Sequence, residues 1–181
     1  MDHKRLFEIM FPGFFDEPDI RSMPADRVFA ELIMDLRRSA PDPLPYPCPD
    51  HITFGLYHGG IEAIRKTVGR VDEDWIRFYR ENSRVFCAFD RDKVAAFCIL
   101  EDWKSPGGLR ISGPGCVGTV PEYRKKGIGL EMVRRAMNVL IEDGFDISWI
   151  HYTHLWRWYE KLGYQVVLKW NCRGFLDQGK G

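Results

Sequence analysis

The sequence predicts an α/β fold in which helices flank a mixed central sheet. The first observation is periodicity: after residue 51, short runs rich in β-branched and aromatic residues alternate with segments whose apolar residues recur at helical spacing. The second is a hairpin signal, in which strand-like runs at 84–89 and 94–100 flank the polar turn 90–93. At 181 residues, the chain is long enough for one domain with a substantial core.

The predicted elements after residue 51 follow the order β, two α, three β, α, β, α, β. A glycine-rich segment, 113–118, leads into the fourth strand. The helix after the next loop has an apolar face that runs from Leu130 to Ile141, and Gly144 suits its C-terminal cap. The other strands are predicted at 52–57, 84–89, 94–100, 147–152 and 164–170, and the other helices at 61–68, 75–81 and 155–162.

The first fifty residues are predicted to form a helical extension of the sheet domain. Apolar residues at helical spacing after an early proline predict an amphipathic helix over 24–36. Five prolines at alternate positions over 41–49 exclude helix and cannot donate the hydrogen bonds of a sheet, so this segment is predicted to be an extended connector. The expected division is therefore an extension over 1–50 and a sheet domain over 51–181.

Four aromatic side chains in the extension indicate that it is not a free tail. Their number favours docking on the sheet domain or on a second subunit, as in a homodimer. These residues are Phe7, Phe11, Phe14 and Phe15.

Composition excludes several functional classes. Lys plus Arg and Asp plus Glu both number 26, so overall charge favours neither a nucleic-acid partner nor an anionic membrane. No apolar run reaches the roughly 18 residues of a membrane span, and the amino terminus lacks a signal peptide, which predicts a cytoplasmic protein. The five cysteines are widely spaced without a CxxC pair, so we expect reduced thiols and no metal site.

The segment 124–129, which reads RKKGIG, has the features of an anion site. Gly127 and Gly129 remove side chains where a loop becomes a helix, so backbone N–H groups can approach a ligand closely. The first N–H groups of a helix have no partner inside it, and the helix dipole adds roughly 0.3–1 kcal/mol per favourable charge. Three adjacent cations at 124–126 make pyrophosphate the expected ligand.

Two nucleotide-binding motifs are excluded. Gly113–Gly118 matches GxGxxG, but Pro121 follows closely where a helix should begin, so a glycine-rich strand explains the match better. Gly127 is not followed by the GK[ST] residues of a phosphate-transferring P-loop, so no magnesium site is implied.

Two ordered motifs resemble the GNAT superfamily of acyl-CoA-dependent N-acyltransferases. The first is RxxGxG, at Arg124–Gly129, preceded by Val117-Gly118-Thr119; the second is YEKLGY, at 159–164, after a predicted strand. The resemblance implies a GNAT-type sheet over 51–181, acetyl-CoA as cosubstrate, and direct acetyl transfer to a small-molecule or peptide amine.

The resemblance also assigns residues to roles. The glycine loop would bind the pyrophosphate of coenzyme A, and the preceding strand would bind its pantetheine arm. Tyr159 would protonate the departing thiolate; the alternative is that its ring only packs a helix face. The implied cofactor-binding residues are Val117, Gly118, Thr119, Arg124, Lys125, Lys126, Gly127, Ile128, Gly129 and Leu130.

The general base and the acceptor stay open. Glu101 and Asp102 could attract a cationic amine, and His151 and His154 could accept a proton, although each residue type is also common as a plain surface group. Cys116 is expected to serve packing only, because direct transfer needs no covalent nucleophile. The alternative function is a catalytically silent acyl-CoA-binding module that regulates a partner.

Overall fold

The computed structural model describes residues 1–38, 45–103 and 106–177. Its helices are α1 (His3–Met10), α2 (Pro18–Arg21), α3 (Ile61–Gly69), α4 (Ile128–Glu142) and α5 (Trp156–Glu160). Its strands are β1 (Phe29–Asp35), β2 (Ile52–Leu56), β3 (Val85–Asp90), β4 (Lys93–Trp103), β5 (Ile111–Thr119), β6 (Ile147–Thr153), β7 (Gln165–Asn171) and β8 (Gly174–Phe175). Within the described residues these strands form one sheet in the order β2-β3-β4-β5-β6-β1-β7-β8.

The predicted α/β class is confirmed, and so are most of the elements expected after residue 51. The segment predicted as a helix over 75–81 is instead a 3₁₀ helix at Glu73–Phe78. The glycine-rich segment 113–118 lies inside β5, as the rejection of a dinucleotide fingerprint requires.

The helix predicted over 24–36 is wrong, because residues 29–35 form strand β1. This strand lies between β6 and β7 and is antiparallel to both. Ala30, Glu31 and Leu32 are all fully buried, so consecutive side chains on both faces of the strand are covered. A strand buried on both faces carries a nearly continuous apolar run, which also fits a helical template. The predicted boundary at residue 50 therefore does not coincide with an edge of the sheet.

The predicted proline-rich connector is described only in part. Residues 39–44 lie outside the described part of the chain, and residues 45–49 carry neither helix nor strand.

The centre of the sheet contains a gap between β5 and β6. These two strands are parallel and pair at Ile111 with Ile147 and at Ser112 with Ser148. β5 continues to Thr119 and β6 to Thr153, all within the described residues, but no further pairing joins them. The gap therefore opens toward the carboxyl ends of both strands, which is where ligands bind in open α/β sheets.

A β-bulge in β5 bends the strand beside this gap. Phe97 and Ile99 of β4 pair with Gly118 and Gly115, so β5 has one extra residue between the paired positions. Cys116 within the bulge has a φ of 45°, a conformation that non-glycine residues seldom adopt. A bulge leaves its extra residue outside the ladder and increases the local twist, which turns the end of β5 away from regular pairing.

Helices and aromatic residues cover the two faces of the sheet. α4 packs on one face through Met132, Val133, Ala136, Met137 and Leu140. The other face is covered by α3 and by the N-terminal segment that contains α1. The expected docking of the N-terminal phenylalanines on the domain is confirmed: the ring of Phe11 lies 6.0 Å from that of Trp103, and the ring of Phe14 lies 4.8 Å from that of Trp170.

We expect Leu32→Ala to lower the free energy of unfolding by about 2–5 kcal/mol, because it creates a cavity in an interior strand. Ile9→Ala is the matched control: Ile9 is exposed on α1, so its truncation should change stability by less than about 0.5 kcal/mol. Urea denaturation measures both values. A small loss for Leu32→Ala would show that β1 does not hold the sheet together.

Candidate active site

One cavity of about 470 Å³ brings together most residues that the sequence motifs single out. It contains nine of the ten predicted cofactor-binding residues together with Tyr159. Lys126 is the exception; its ammonium lies over the Tyr123 ring, 5.6 Å from the centroid. The lining residues are Val71, Val117, Gly118, Thr119, Tyr123, Arg124, Lys125, Gly127, Ile128, Gly129, Leu130, Leu155, Trp158 and Tyr159.

The start of α4 forms the cationic end of the cavity. Lys125 and Gly127 have φ angles of 61° and 76°, so two left-handed residues shape the loop that leads into the helix. The guanidinium of Arg124 donates from Nε to the carbonyl of Thr119 at 3.0 Å, which ties this loop to the end of β5. Ile128, Gly129 and Leu130 of the first turn of α4 line the cavity, and because the first N–H groups of a helix have no partner inside it, an anion can accept from them.

Position 127 requires a glycine because of its backbone conformation and because of its surroundings. Its positive φ disfavours any residue with a Cβ. In addition, a Cβ at this position would lie 1.9 Å from the carbonyl oxygen of Pro47. The segment carrying Pro47 is itself fixed, because the backbone N–H of Tyr46 donates to the carboxylate of Glu131 at 3.0 Å. The connector thus braces the start of α4, a contact that local sequence patterns do not reveal.

Gly129 allows the first turn of α4 to approach its neighbours. A Cβ there would lie 2.8 Å from Oγ1 of Thr119 and 3.5 Å from the indole of Trp158. The helix start therefore packs tightly between the end of β5 and α5, and a larger side chain would have to project into the cavity.

Tyr159 lies on α5 and is almost fully buried, with 6% of its surface exposed. Its ring contacts Trp158 and Tyr164 edge to face, at centroid distances of 4.8 and 5.9 Å. Burial, followed by the proximity of Tyr164, raises the pKa of its phenol well above the usual value. The hydroxyl therefore stays protonated at neutral pH, in the form that a proton donor requires.

Cys116 is not suited to nucleophilic attack. Burial raises the pKa of its thiol to about 12, so at neutral pH the reactive thiolate is nearly absent. The carbonyl of Cys116 accepts a hydrogen bond from the Tyr79 hydroxyl at 3.2 Å, which helps to fix the bulge. These contacts agree with the predicted packing role.

The four candidate proton acceptors and amine ligands differ in their surroundings. Asp102 and His154 are exposed, whereas Glu101 and His151 are half-buried. Burial raises the pKa of Glu101. Nδ1 of His151 lies 3.0 Å from the carboxylate of Glu31, which can accept a hydrogen bond from Nδ1–H. The sequence prediction missed Glu31, because it placed this residue in a helix.

A family comparison identifies the domain that holds this cavity. The model of the acetyltransferase (GNAT) domain matches residues 81–166. Residues 81–166 therefore correspond to a GNAT domain. This match includes β5, the glycine loop, α4 and α5, so the GNAT region holds most of the cavity lining.

Several solved structures share the fold of this chain. A glucosamine N-acetyltransferase region of a fungal multi-domain GH3 β-N-acetylglucosaminidase has a TM-score of 0.64 at 23% identity, over 80% of this chain and 20% of that one. A GCN5-related N-acetyltransferase from Kribbella flavida has a TM-score of 0.57 at 19% identity, over 86% of this chain and 60% of that one.

A third GCN5-related N-acetyltransferase, from Sphaerobacter thermophilus, has a TM-score of 0.55 at 17% identity, over 85% of this chain and 54% of that one. The chain thus spans between 20% and 60% of the length of these three proteins. At these identities the likeness concerns the fold. Comparison with curated protein sequences gives no match.

Among the described residues, no helix combines the length and apolar character that crossing a membrane requires.

We expect Gly127→Ala to destabilise the protein more than Gly13→Ala. Both positions have a positive φ, which costs an L-residue about 1–2 kcal/mol, but only at Gly127 does the new Cβ meet a carbonyl oxygen. Thermal or urea unfolding of the two variants measures the difference. Equal losses would show that the Pro47 segment moves away freely and does not brace α4.

Proposed function

We propose that this GNAT protein transfers an acetyl group from acetyl-CoA to an amine acceptor. The observation that carries this proposal is that one cavity joins the glycine loop, the end of β5 and Tyr159. These three parts offer an anion site, backbone polar groups and a proton donor, which are the groups that a coenzyme A thioester needs.

The pyrophosphate of acetyl-CoA is assigned to the start of α4. N–H groups in the first turn would donate to phosphate oxygens, and Arg124 and Lys125 supply positive charge beside them. Gly127 and Gly129 line this end of the cavity, so no side chain of their own stands between the backbone there and the phosphates. We assign Lys126 to the rim of this site, where its charge attracts the cosubstrate without lining the cavity.

The pantetheine arm and thioester are assigned to the gap between β5 and β6. Val117, Gly118 and Thr119 line the cavity along this edge of β5. Backbone groups left without a strand partner can bind the amides of the arm and stabilise the oxyanion that forms at the thioester carbonyl.

The proposed transfer forms one bond, breaks one bond and moves two protons. The neutral acceptor amine forms an N–C bond with the carbonyl carbon, and the C–S bond breaks with its electron pair moving to sulfur. The attacking nitrogen loses one proton, and the thiolate gains one. We assign the proton that the thiolate gains to the hydroxyl of Tyr159, a residue that lines the same cavity as Val117 and Gly118.

The acceptor is an amine of a small molecule or a peptide. A screen of amines for coenzyme A release, detected with a thiol reagent, tests activity and acceptor class together. The panel includes amino sugars, because one structure of similar fold is a glucosamine N-acetyltransferase region. Coenzyme A binding without turnover of any amine would contradict the proposal and favour an acyl-CoA-binding regulatory module.

We expect Gly129→Glu to abolish coenzyme A binding, because the new side chain adds bulk and negative charge where the pyrophosphate is assigned. The matched control is Gly60→Glu, which makes the same change before α3, where a Cβ meets no atom within 4 Å. Calorimetric titration with coenzyme A measures both affinities. Wild-type affinity in a folded Gly129→Glu variant would refute the assigned pyrophosphate site.

We expect Tyr159→Phe to lower kcat by about 10²-fold with little change in acetyl-CoA affinity, because the variant keeps the ring and loses only the proton donor. Tyr164→Phe is the control: its hydroxyl is also buried but contacts the Ser148 hydroxyl at 2.6 Å. Steady-state kinetics with a saturating amine compares them. An unchanged kcat for Tyr159→Phe would remove the tyrosine from the mechanism.

A further inference from the structure

A fully buried carboxylate lies at the centre of the sheet. Glu31 of β1 is 0% exposed and contacts four nitrogens. The indole nitrogens of Trp149 and Trp170 donate to it at 2.6 and 2.8 Å, and the backbone N–H of Tyr152 donates at 3.1 Å. The fourth contact is Nδ1 of His151, at 3.0 Å. Three fixed donors keep the carboxylate in place, so its position determines that of the imidazole.

The His151 ring is fixed on two sides. Its face stacks on the Phe11 ring, with centroids 3.8 Å apart and planes within 10°. Its Nδ1 faces the Glu31 carboxylate, an arrangement in which Nδ1–H donates and the lone pair of the neutral ring is on Nε2. With 22% of the side chain exposed, the imidazole is accessible from outside the core. A carboxylate-oriented histidine with a free Nε2 lone pair is a proton acceptor.

His151 lies at the gap that is assigned to the thioester. In the register of the two paired positions of β5 and β6, His151 is level with Gly115. The bulge begins at the next residue of β5, and Val117 and Gly118 beyond it line the cavity. Tyr159 packs in the core on the α4 side of the sheet, whereas His151 contacts the N-terminal aromatic residues on the other side. The two candidate proton-transfer groups thus approach the gap from opposite faces.

A second carboxylate lies on the same side as His151. The Oε2 of Glu101 is 2.8 Å from the position that a Cβ on Gly115 would occupy, so this side chain lies across the same level of β5. His151 and Arg80 are the cationic groups that lower the pKa of Glu101 against the larger effect of burial. The charged groups facing the imidazole are therefore Glu31 from β1 and Glu101 from β4, and the N-terminal segment contributes phenylalanine rings.

We propose that His151 is the general base of the acetyl transfer, that Glu31 is its positioning residue, and that the acceptor is a primary alkylamine that arrives protonated beside Glu101. This inference rests on the proposed function. His151 Nε2 takes one proton from the acceptor ammonium, which frees the nitrogen lone pair for attack on the thioester carbonyl. The nitrogen loses its second proton after the attack, and this proton passes through solvent to Tyr159, which has protonated the departing thiolate. Glu31 stabilises the imidazolium that results, and solvent removes its proton after turnover. Glu101 attracts the cation to the mouth of the gap.

The decisive variant is His151→Asn. The asparagine amide can still donate to Glu31 near the position of Nδ1, but the variant has no basic nitrogen at the position of Nε2. We expect kcat/KM for the best alkylamine of the screen to fall by about 10²-fold or more at pH 7, with coenzyme A affinity unchanged. His154→Asn is the matched control, since this neighbouring histidine is exposed, and it should keep wild-type kinetics.

The pH profile separates a base from a structural role. In the wild type, kcat/KM should rise with pH, and the part of this rise that comes from the base should be absent in His151→Asn, whereas the part that comes from Glu101 should remain. In a folded Glu31→Gln variant kcat should fall while coenzyme A affinity stays unchanged, because the amide no longer stabilises the imidazolium.

Three possible results of these measurements lead to different conclusions. Wild-type rates and an unchanged pH profile in His151→Asn would overturn the assignment of the base while acetyl transfer stands. A wild-type protein that binds coenzyme A but acetylates no amine would overturn the proposed function and this inference together. Loss of activity in His151→Asn with the same pH dependence of kcat/KM as the wild type would show that His151 only supports the structure.

Discussion

The incomplete pairing of β5 with β6 is the constraint on which the rest of the site depends. Two pairs join the strands at their amino-terminal ends, and no pairing follows within the described residues. Gly113 keeps the strands close just beyond the last pair, because a Cβ there would lie 1.9 Å from the carbonyl oxygen of Trp149. Past this point the bulge at Cys116 turns β5 aside. Backbone groups that would otherwise pair with the neighbouring strand are left for a ligand.

Strand β1 gives the gap its chemistry on one side. As an interior strand between β6 and β7, it places Glu31 directly beside the end of β6. A buried charge is costly unless it is well hydrogen-bonded, and Glu31 has donors from two indoles and one backbone N–H besides His151. The N-terminal region therefore contributes both to the sheet and to the candidate active site, through β1 and through the phenylalanines that pack on His151.

The parts of this site that sequence could predict are those with local physical causes. Glycines at 127 and 129 beside three cations indicate an anion site without reference to the rest of the chain. The helix predicted over 24–36 failed because a strand buried on both faces has apolar residues at positions that also suit a helix. The contact between Glu31 and His151 joins residues 120 apart, and Pro47 approaches Gly127 from the connector. Such contacts follow from the order of strands, which composition and periodicity do not give.

A crystal structure of the protein with acetyl-CoA tests the proposed binding site most directly. We expect a pyrophosphate at the first turn of α4, a pantetheine arm between β5 and β6, and a thioester carbonyl between Tyr159 and His151. Electron density for the cosubstrate elsewhere on the protein, or a thioester out of reach of both side chains, would contradict it.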